Sequence, residues 1–231
     1  MKQKFSLIIY FILLSNFIYS THDPFEDVNK VTHKLNQELD SIAARPIAEF
    51  YKKITPDLLE VGVSNSLSNV EDLNIGINNI LQGKLKDGLS DFTRVLVNST
   101  FGIFGLFDIA SDMGLKKHNE DFGQTLALWG VPEGPYVVLP GLGPSTLRDS
   151  LAKIPDSILS PSLLFTDDQT VYVITATDLL VTRADLLGID VLIVGDEYLF
   201  MKDAYFQNRE YEIYDGKVED DFDTFDEDWE D

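Results

Sequence analysis

The chain has 231 residues and carries 18 Lys and Arg against 39 Asp and Glu, a formal net charge of −21. So few cations argue against nucleic acid, because phosphate binding needs clustered Lys and Arg, and against simple electrostatic docking on anionic lipid. Cysteine is absent, which excludes disulfides, a thiolate metal site and a cysteine nucleophile. At 44% hydrophobic content, the length suffices for one sizeable core, or for one helical domain with apolar surface left over.

The first twenty residues carry Lys2 and Lys4, then a mostly apolar stretch from Phe5 to Tyr19. As a helix that stretch reaches roughly 22 Å, short of a ~30 Å hydrocarbon core. It reads as a secretory signal cut after Ser20, with an uncleaved anchor as the alternative because Ile18 is only acceptable at the −3 position. From Glu26 to Ala43, Val28, Val31, Leu35, Leu39 and Ile42 fall at helical spacing, an amphipathic helix. Asp23 as cap and Pro24 at the first helical position explain the start of this helix, Asn29-Lys30 included, without a functional role.

Arg45-Pro46 is expected to break the chain before Ile47–Ile54. Pro56 opens a helix towards Asn69, a further one spans Asp72 to Gln82 and stops at Gly83, and Leu85, Leu89, Phe92, Val95 and Leu96 mark another to about Asn98. The run Phe101 to Phe107 then places Phe101, Phe104 and Phe107 three apart among glycines. It is too short to cross a bilayer, so it is a core crossing or a segment in a membrane interface, and the pattern alone favours the core.

The most informative stretch is Glu120–Asp149. Phe122, Leu126 and Trp129 form a short helix that stops at Gly130. Between Val131 and Pro144, Pro132, Pro135, Pro140 and Pro144 alternate with Gly134, Gly141 and Gly143 around the apolar run Tyr136–Leu139, which predicts a built loop without regular helix or strand. A loop this apolar either crosses the core or lines something greasy. The next helix starts at Ser145 or Thr146, with Asp149 completing a capping-box pattern. Further on, β-branched Thr170–Thr177 suits a strand by composition, Asp196–Tyr211 reads as a last helix, and Glu219–Asp231 contains nine acidic residues and no basic one, a solvated and disordered tail.

The runs Glu-Asp-Phe-Gly-Gln-Thr-Leu (120–126), Trp-Gly-Val-Pro (129–132), Gly-Pro-Tyr-Val-Val-Leu-Pro (134–140) and Gly-Pro-Ser-Thr-Leu-Arg-Asp (143–149) resemble the signature of the MlaA (VacJ) phospholipid-transport lipoproteins of Gram-negative outer membranes. Asp23-Pro24-Phe25-Glu26 with Asn29-Lys30, Asn79–Gly83, Thr93-Arg94 and Asp203–Gln207 are similar to further family segments. The family usually has Arg where this chain has Lys30.

The resemblance implies an all-α domain over residues 21–211. Its amphipathic helices would form a ring lying in the outer membrane on the periplasmic side, with a central Pro/Gly-rich hairpin loop, an N-terminal signal at 1–20 and an acidic tail at 212–231. It implies an amphipathic channel by which misplaced phospholipids leave the outer leaflet, beside a trimeric porin and towards a soluble periplasmic carrier. It also moves Phe101–Phe107 into the membrane interface and Thr170–Thr177 into a helix continuing to Leu187.

Channel candidates are then Phe101, Phe104, Phe107, Tyr136, Val138, Leu139 and Leu142. The gating hinges are Gly130, Gly141 and Gly143, and Asn29 and Lys30 form the N-terminal motif. The family is lipidated on a cysteine after its signal, which this chain lacks. A conduit needs no nucleophile, cofactor or metal: His22, His33 and His118 lie at no metal-ligand spacing, and Gly141–Thr146 lacks the lysine of a phosphate loop. A secreted helical scaffold sharing the fold is the alternative, and a hydrolase comes third.

Overall fold

The computed structural model describes residues 23–159, 167–189, 193 and 195–217. In chain order it comprises α1 (Glu26–Leu39), a π-helical turn (Asp40–Ala44), α2 (Arg45–Ile54), α3 (Asp57–Leu81), α4 (Leu85–Thr100), α5 (Ile109–Asp112) and α6 (Phe122–Leu128). Two short strands follow, β1 (Tyr136–Leu139) and β2 (Gly143–Thr146), then α7 (Leu147–Leu159), α8 (Asp168–Asp185) and α9 (Glu197–Ile213). The described residues are therefore all-α apart from one hairpin. The signal-like stretch 1–20 and positions 218–231 of the acidic tail lie outside the described residues.

Three local expectations need correction and one, the helix over Thr170–Thr177, is met. Pro46 does not break the chain: the π turn before it is wider than an α turn and gives the proline ring room where the preceding carbonyl would clash, so the helix runs on. The helices expected on either side of Asn69–Asp72 are one 25-residue helix, about 37 Å long. Asn69 and Asn74 cannot compete for their own backbone there, because their amides donate to Ser99 Oγ (3.0 Å) and Asp156 Oδ1 (2.9 Å). Thr170–Thr177 is helical, as the family pattern implies, within α8. The tail does not begin at residue 212, since α9 reaches Ile213 and Asp215 accepts a 2.5 Å hydrogen bond from Lys84 Nζ.

α3 is the spine, packed on α4, α6, α7 and α8. It approaches α4 backbone to backbone, because a Cβ on Gly88 would lie 2.7 Å from the Gly76 carbonyl oxygen. What the packing buries is polar. Arg94, 2% exposed, spends all three nitrogens: Nε on Asp72 (3.1 Å), Nη1 on Ser111 Oγ (3.0 Å) and the Leu115 carbonyl (2.7 Å), and Nη2 on both oxygens of Asp108 (3.1 and 3.2 Å). Asp72 also pairs with Lys117, and Asp91 with Asn79 (2.8 Å) and His118 Nδ1 (2.7 Å).

The apolar faces point the other way. Val28, Val31, Leu35, Leu39 and Ile42, the stripe that marked α1, are all exposed, Ile42 by 78%. The same holds for Ile47, Phe50 and Ile54 on α2, Leu89 and Leu96 on α4, Leu151, Ile154 and Ile158 on α7, and Tyr172 and Val173 on α8. No helix among the described residues is long and apolar enough to cross a membrane.

Removing the central guanidinium would leave buried Asp72 with Lys117 as its one cation and half-buried Asp108 with neutral donors alone. Arg94→Met is expected to lower stability by about 3 kcal/mol or more, while Phe104→Ser, on an exposed ring, changes it by about 0.5 kcal/mol or less. Denaturant titration in mild detergent checks both.

Candidate functional site

α6 is built to hold a polar junction. Asp121 caps it, accepting from Gln124 N (2.8 Å), and a second carboxylate, Asp156 of α7, accepts from Phe122 N (3.1 Å) where the helix N-terminus favours negative charge. Gly123 leaves room for the Arg209–Asp149 pair: a Cβ there would sit 2.3 Å from Arg209 Nη2 and 2.5 Å from Asp149 Oδ1, so both side chains would have to shift. Arg209, arriving from α9, closes a bidentate pair on Asp121 (2.6 and 2.8 Å) and donates Nε to Asp149 (2.9 Å) and Nη1 to Glu212 (3.1 Å). Burial works against the charge of Asp149, but hydrogen bonds from Arg148, Tyr205 and Arg209 outweigh it and hold the carboxyl well below the usual range. Asp121 is held down in the same way by Arg209.

This junction forms one wall of a cleft of about 570 Å³ enclosed by α3, α7, α8, α9 and the loop before α6. Leu67, Val70 and Ile75 of α3 and Ile174 of α8 make its apolar side, and Glu71, Asp156, Asp178, Lys153 and Asn208 add polar groups. Burial raises the Glu71 carboxyl above its ordinary value, with the charge of Asp178 adding to it, and burial raises Asp178 and Asp156 too. Among the described residues no three His, Asp or Glu side chains form a metal-binding group.

The Pro/Gly segment is more regular than a built loop. β1 and β2 pair antiparallel, Tyr136 opposite Thr146 and Leu139 opposite Gly143, so the alternating prolines occupy the ends and one edge of a real hairpin. Its free edge is paired by side chains. Asn29 donates Nδ2 to the Tyr136 carbonyl (3.0 Å) and accepts from Val138 N (2.9 Å). Asn36, two turns along α1, donates to the Leu139 carbonyl (2.9 Å) and accepts from Gly141 N (2.8 Å). Two amides on a helix thus substitute for a third strand.

Asn29 is therefore explained by tertiary structure and not by helix capping. Phe25 occupies the N-cap without a side-chain hydrogen bond, Pro24 lies before the helix, and Asp23 is a buried anchor accepting from Asn29 Nδ2 (3.2 Å), Tyr198 OH (2.5 Å) and Lys202 Nζ (3.3 Å). Lys30 stays at the surface, paired with Glu26 at 2.5 Å and lying over the Tyr198 ring.

Of the channel candidates, Tyr136 and Val138 are buried against Tyr198, Tyr205 and Phe206, and burial pushes the Tyr136 phenol up to about 12. They pin the hairpin to α9 and offer little surface to a ligand. Leu139 is half-buried and Leu142 exposed at the hairpin tip. Phe101, Phe104 and Phe107 lie in an exposed turn, Phe104 by 83%, and so are not the core crossing that pattern alone favours. None of the seven lines the cleft. Gly130, Gly141 and Gly143 hold φ of 83°, 75° and 83°; Gly130 ends α6 at the base of the hairpin, and the other two shape its tip.

The Thr146–Asp149 capping box is half formed: Asp149 N donates to Thr146 Oγ1 (3.3 Å), while the Asp149 carboxylate is spent on arginines and Tyr205. Sequence reasoning missed Arg209, Glu71 and Asp178 altogether. Arg209 sits two residues past the Asp203–Gln207 segment, and the only signal for Glu71 and Asp178 was charge on otherwise apolar helices.

An apolar exterior around a polar interior and a mixed cleft defines a class of helical protein whose outer surface suits an apolar neighbour. The comparisons make the class specific. The model of the MlaA lipoprotein family matches residues 21–212, and the chain belongs to that family.

An uncharacterized protein of Rickettsia typhi is 38% identical over 146 residues, 63% of this chain and 58% of the relative. The intermembrane phospholipid transport system lipoprotein MlaA of Escherichia coli is 36% identical over 131 residues, 55% of this chain and 52% of the relative. The chain thus spans little more than half the length of these relatives. A solved structure described as the structural basis for maintenance of bacterial outer membrane lipid asymmetry superposes with a TM-score of 0.75 at 32% identity, covering 83% of this chain and 99% of that one.

The carboxylates of the cleft make stability depend on pH with two signs. Glu71, Asp156 and Asp178, raised in the fold, bind protons more tightly folded than unfolded, so stability rises as pH falls through their folded values above 4.5 for Glu71 and 3.8 for the aspartates. Asp121 and Asp149, depressed in the fold, contribute stability that is lost as pH falls below 3.8. Thermal melts should therefore show a midpoint that climbs as pH falls towards 4.5 and drops once pH falls below 3.8. Glu71→Gln should flatten the climb and leave the drop.

Proposed function

We propose that this protein removes misplaced phospholipid from the outer leaflet of the outer membrane, lying in that membrane on its periplasmic side as a ring of amphipathic helices. The observation that carries the reading is the inverted polarity: rows of exposed Val, Leu, Ile and Phe outside, buried Asn, Asp and Arg inside, and a cleft with one apolar side and one charged side. A phospholipid passing through a membrane-embedded protein needs that combination, a polar path for the headgroup and apolar surface for the chains. Membership of the MlaA family and likeness to a phospholipid-transport lipoprotein support it.

Chemistry on the lipid is not required; the task is partition and release. Phe101, Phe104 and Phe107 are assigned to the lipid contact at the rim. Leu139 and Leu142 present the hairpin tip to the passing chains, and Tyr136 and Val138 hold the hairpin in place. Movement of the hairpin about Gly130, with Gly141 and Gly143 reshaping the tip, opens and closes the path. A trimeric porin beside the ring and a soluble periplasmic carrier as acceptor complete the reading.

Extraction of the full chain in mild detergent should retain phospholipid, and a lipid-free preparation would point to a scaffold. In cells lacking the native protein, a disulfide tying the hairpin to α1 should stop clearance of surface-exposed phospholipid when oxidised and restore it on reduction. Equal clearance in both states would remove the hairpin from the mechanism.

The exposed apolar faces of α1, α2, α4, α7 and α8 supply a hold on the membrane. A high-salt wash should leave the protein in the membrane fraction, and quantitative release would count against these faces as the hold.

A further inference from the structure

The charges of the cleft do not balance. Seven carboxylates line it against two cations, Lys153 and Arg209. Arg209 is already committed to Asp121, Asp149 and Glu212, and Glu120 is paired with Lys84 outside the cleft at 2.9 Å.

That leaves Glu71 on α3, Asp178 on α8 and Asp156 on α7, three carboxylates against Lys153 alone. Asp156 is solvated only by neutral donors, Asn74 Nδ2 (2.9 Å) and Phe122 N (3.1 Å). Glu71 and Asp178 accept no hydrogen bond and form no ion pair among the described residues. Lys117, the nearest cation acting on Glu71, is spent on Asp72 and the Ser68 carbonyl. Leu67, Val70 and Ile174 lie beside these carboxylates on the same two helices.

A passage flanked by uncompensated negative charge and apolar surface discriminates between headgroups. An ammonium is attracted to Glu71 and Asp178, whereas a headgroup with net negative charge is repelled, and low-dielectric walls enlarge both effects. We infer that the cleft selects its lipid by headgroup charge, favouring zwitterionic amine-bearing phospholipids over anionic ones, with the ammonium between α3 and α8. The inference rests on the phospholipid reading above and adds a specificity to it.

The test uses the full chain in nanodiscs of equal parts phosphatidylethanolamine and phosphatidylglycerol, followed by transfer to mild detergent and quantification of retained lipid by mass spectrometry. Wild type should retain phosphatidylethanolamine in roughly three- to tenfold excess over the supplied ratio. The excess should shrink when extraction is done at high salt.

Glu71→Gln with Asp178→Asn should bring the ratio to that supplied, while Glu71→Asp with Asp178→Glu should keep most of the excess. The neutral variants are expected to fold, since burial already disfavours these charges, and a melt on the same samples verifies it. Wild type retaining both lipids as supplied, or the neutral variant keeping the full excess, would overturn the inference and leave the phospholipid reading standing. Retention of no lipid at all overturns both.

Discussion

Everything in this fold depends on satisfying charged and amide groups without help from water. When a helix turns its apolar stripe outwards, its polar residues must find partners on other helices, and each unmet donor or acceptor costs free energy comparable to a lost hydrogen bond. Arg94 meets that demand for α3, α4 and α5 through Asp72, Asp108 and Ser111, and Arg209 meets it for α6, α7 and α9 through Asp121 and Asp149. Arginine suits both places because a planar fork with five donors can be fully committed, where a lysine would leave carboxylate oxygens unpaired.

The same constraint explains the hairpin. Two strands alone are marginal in water and expose an edge. Here the amides of Asn29 and Asn36 pair that edge, and Tyr198 and Phe206 cover the Tyr136–Val138 face, with the Tyr136 and Phe206 rings 5.7 Å apart. The hairpin is thereby tied to both the first and the last helix of the described chain. Any opening must break directional hydrogen bonds at α1 and aromatic contacts at α9, which makes a discrete two-position movement more natural than a continuous flexing.

An exterior of this polarity suits apolar surroundings. Small-residue contacts such as Gly76 with Gly88, and interhelical polar bonds such as Thr125 Oγ1 to Asn78 Oδ1 at 2.8 Å, are the means by which helices associate where apolar burial offers no drive. The cleft gathers carboxylates from three helices beside an apolar side.

Much of this was legible in the residues. The helical spacing of Val28, Val31, Leu35, Leu39 and Ile42, the stop at Gly130, and the family runs at 120–126 and 134–149 determined helix, hairpin position and family, because local periodicity, backbone permissiveness and motif order are properties of the chain itself. Periodicity identifies an apolar face but not what it faces, so only the tertiary structure decided that this face is outside and that Asp72, Asn78 and Arg94 are inside.

Likewise Asn29 looked like part of a capped helix start until Tyr136 and Val138, more than a hundred positions away, came within hydrogen-bond reach. The cleft was hidden for the same reason. Glu71, Asp156 and Asp178 come from three separate helices, and their charges become one feature only when packing brings them together.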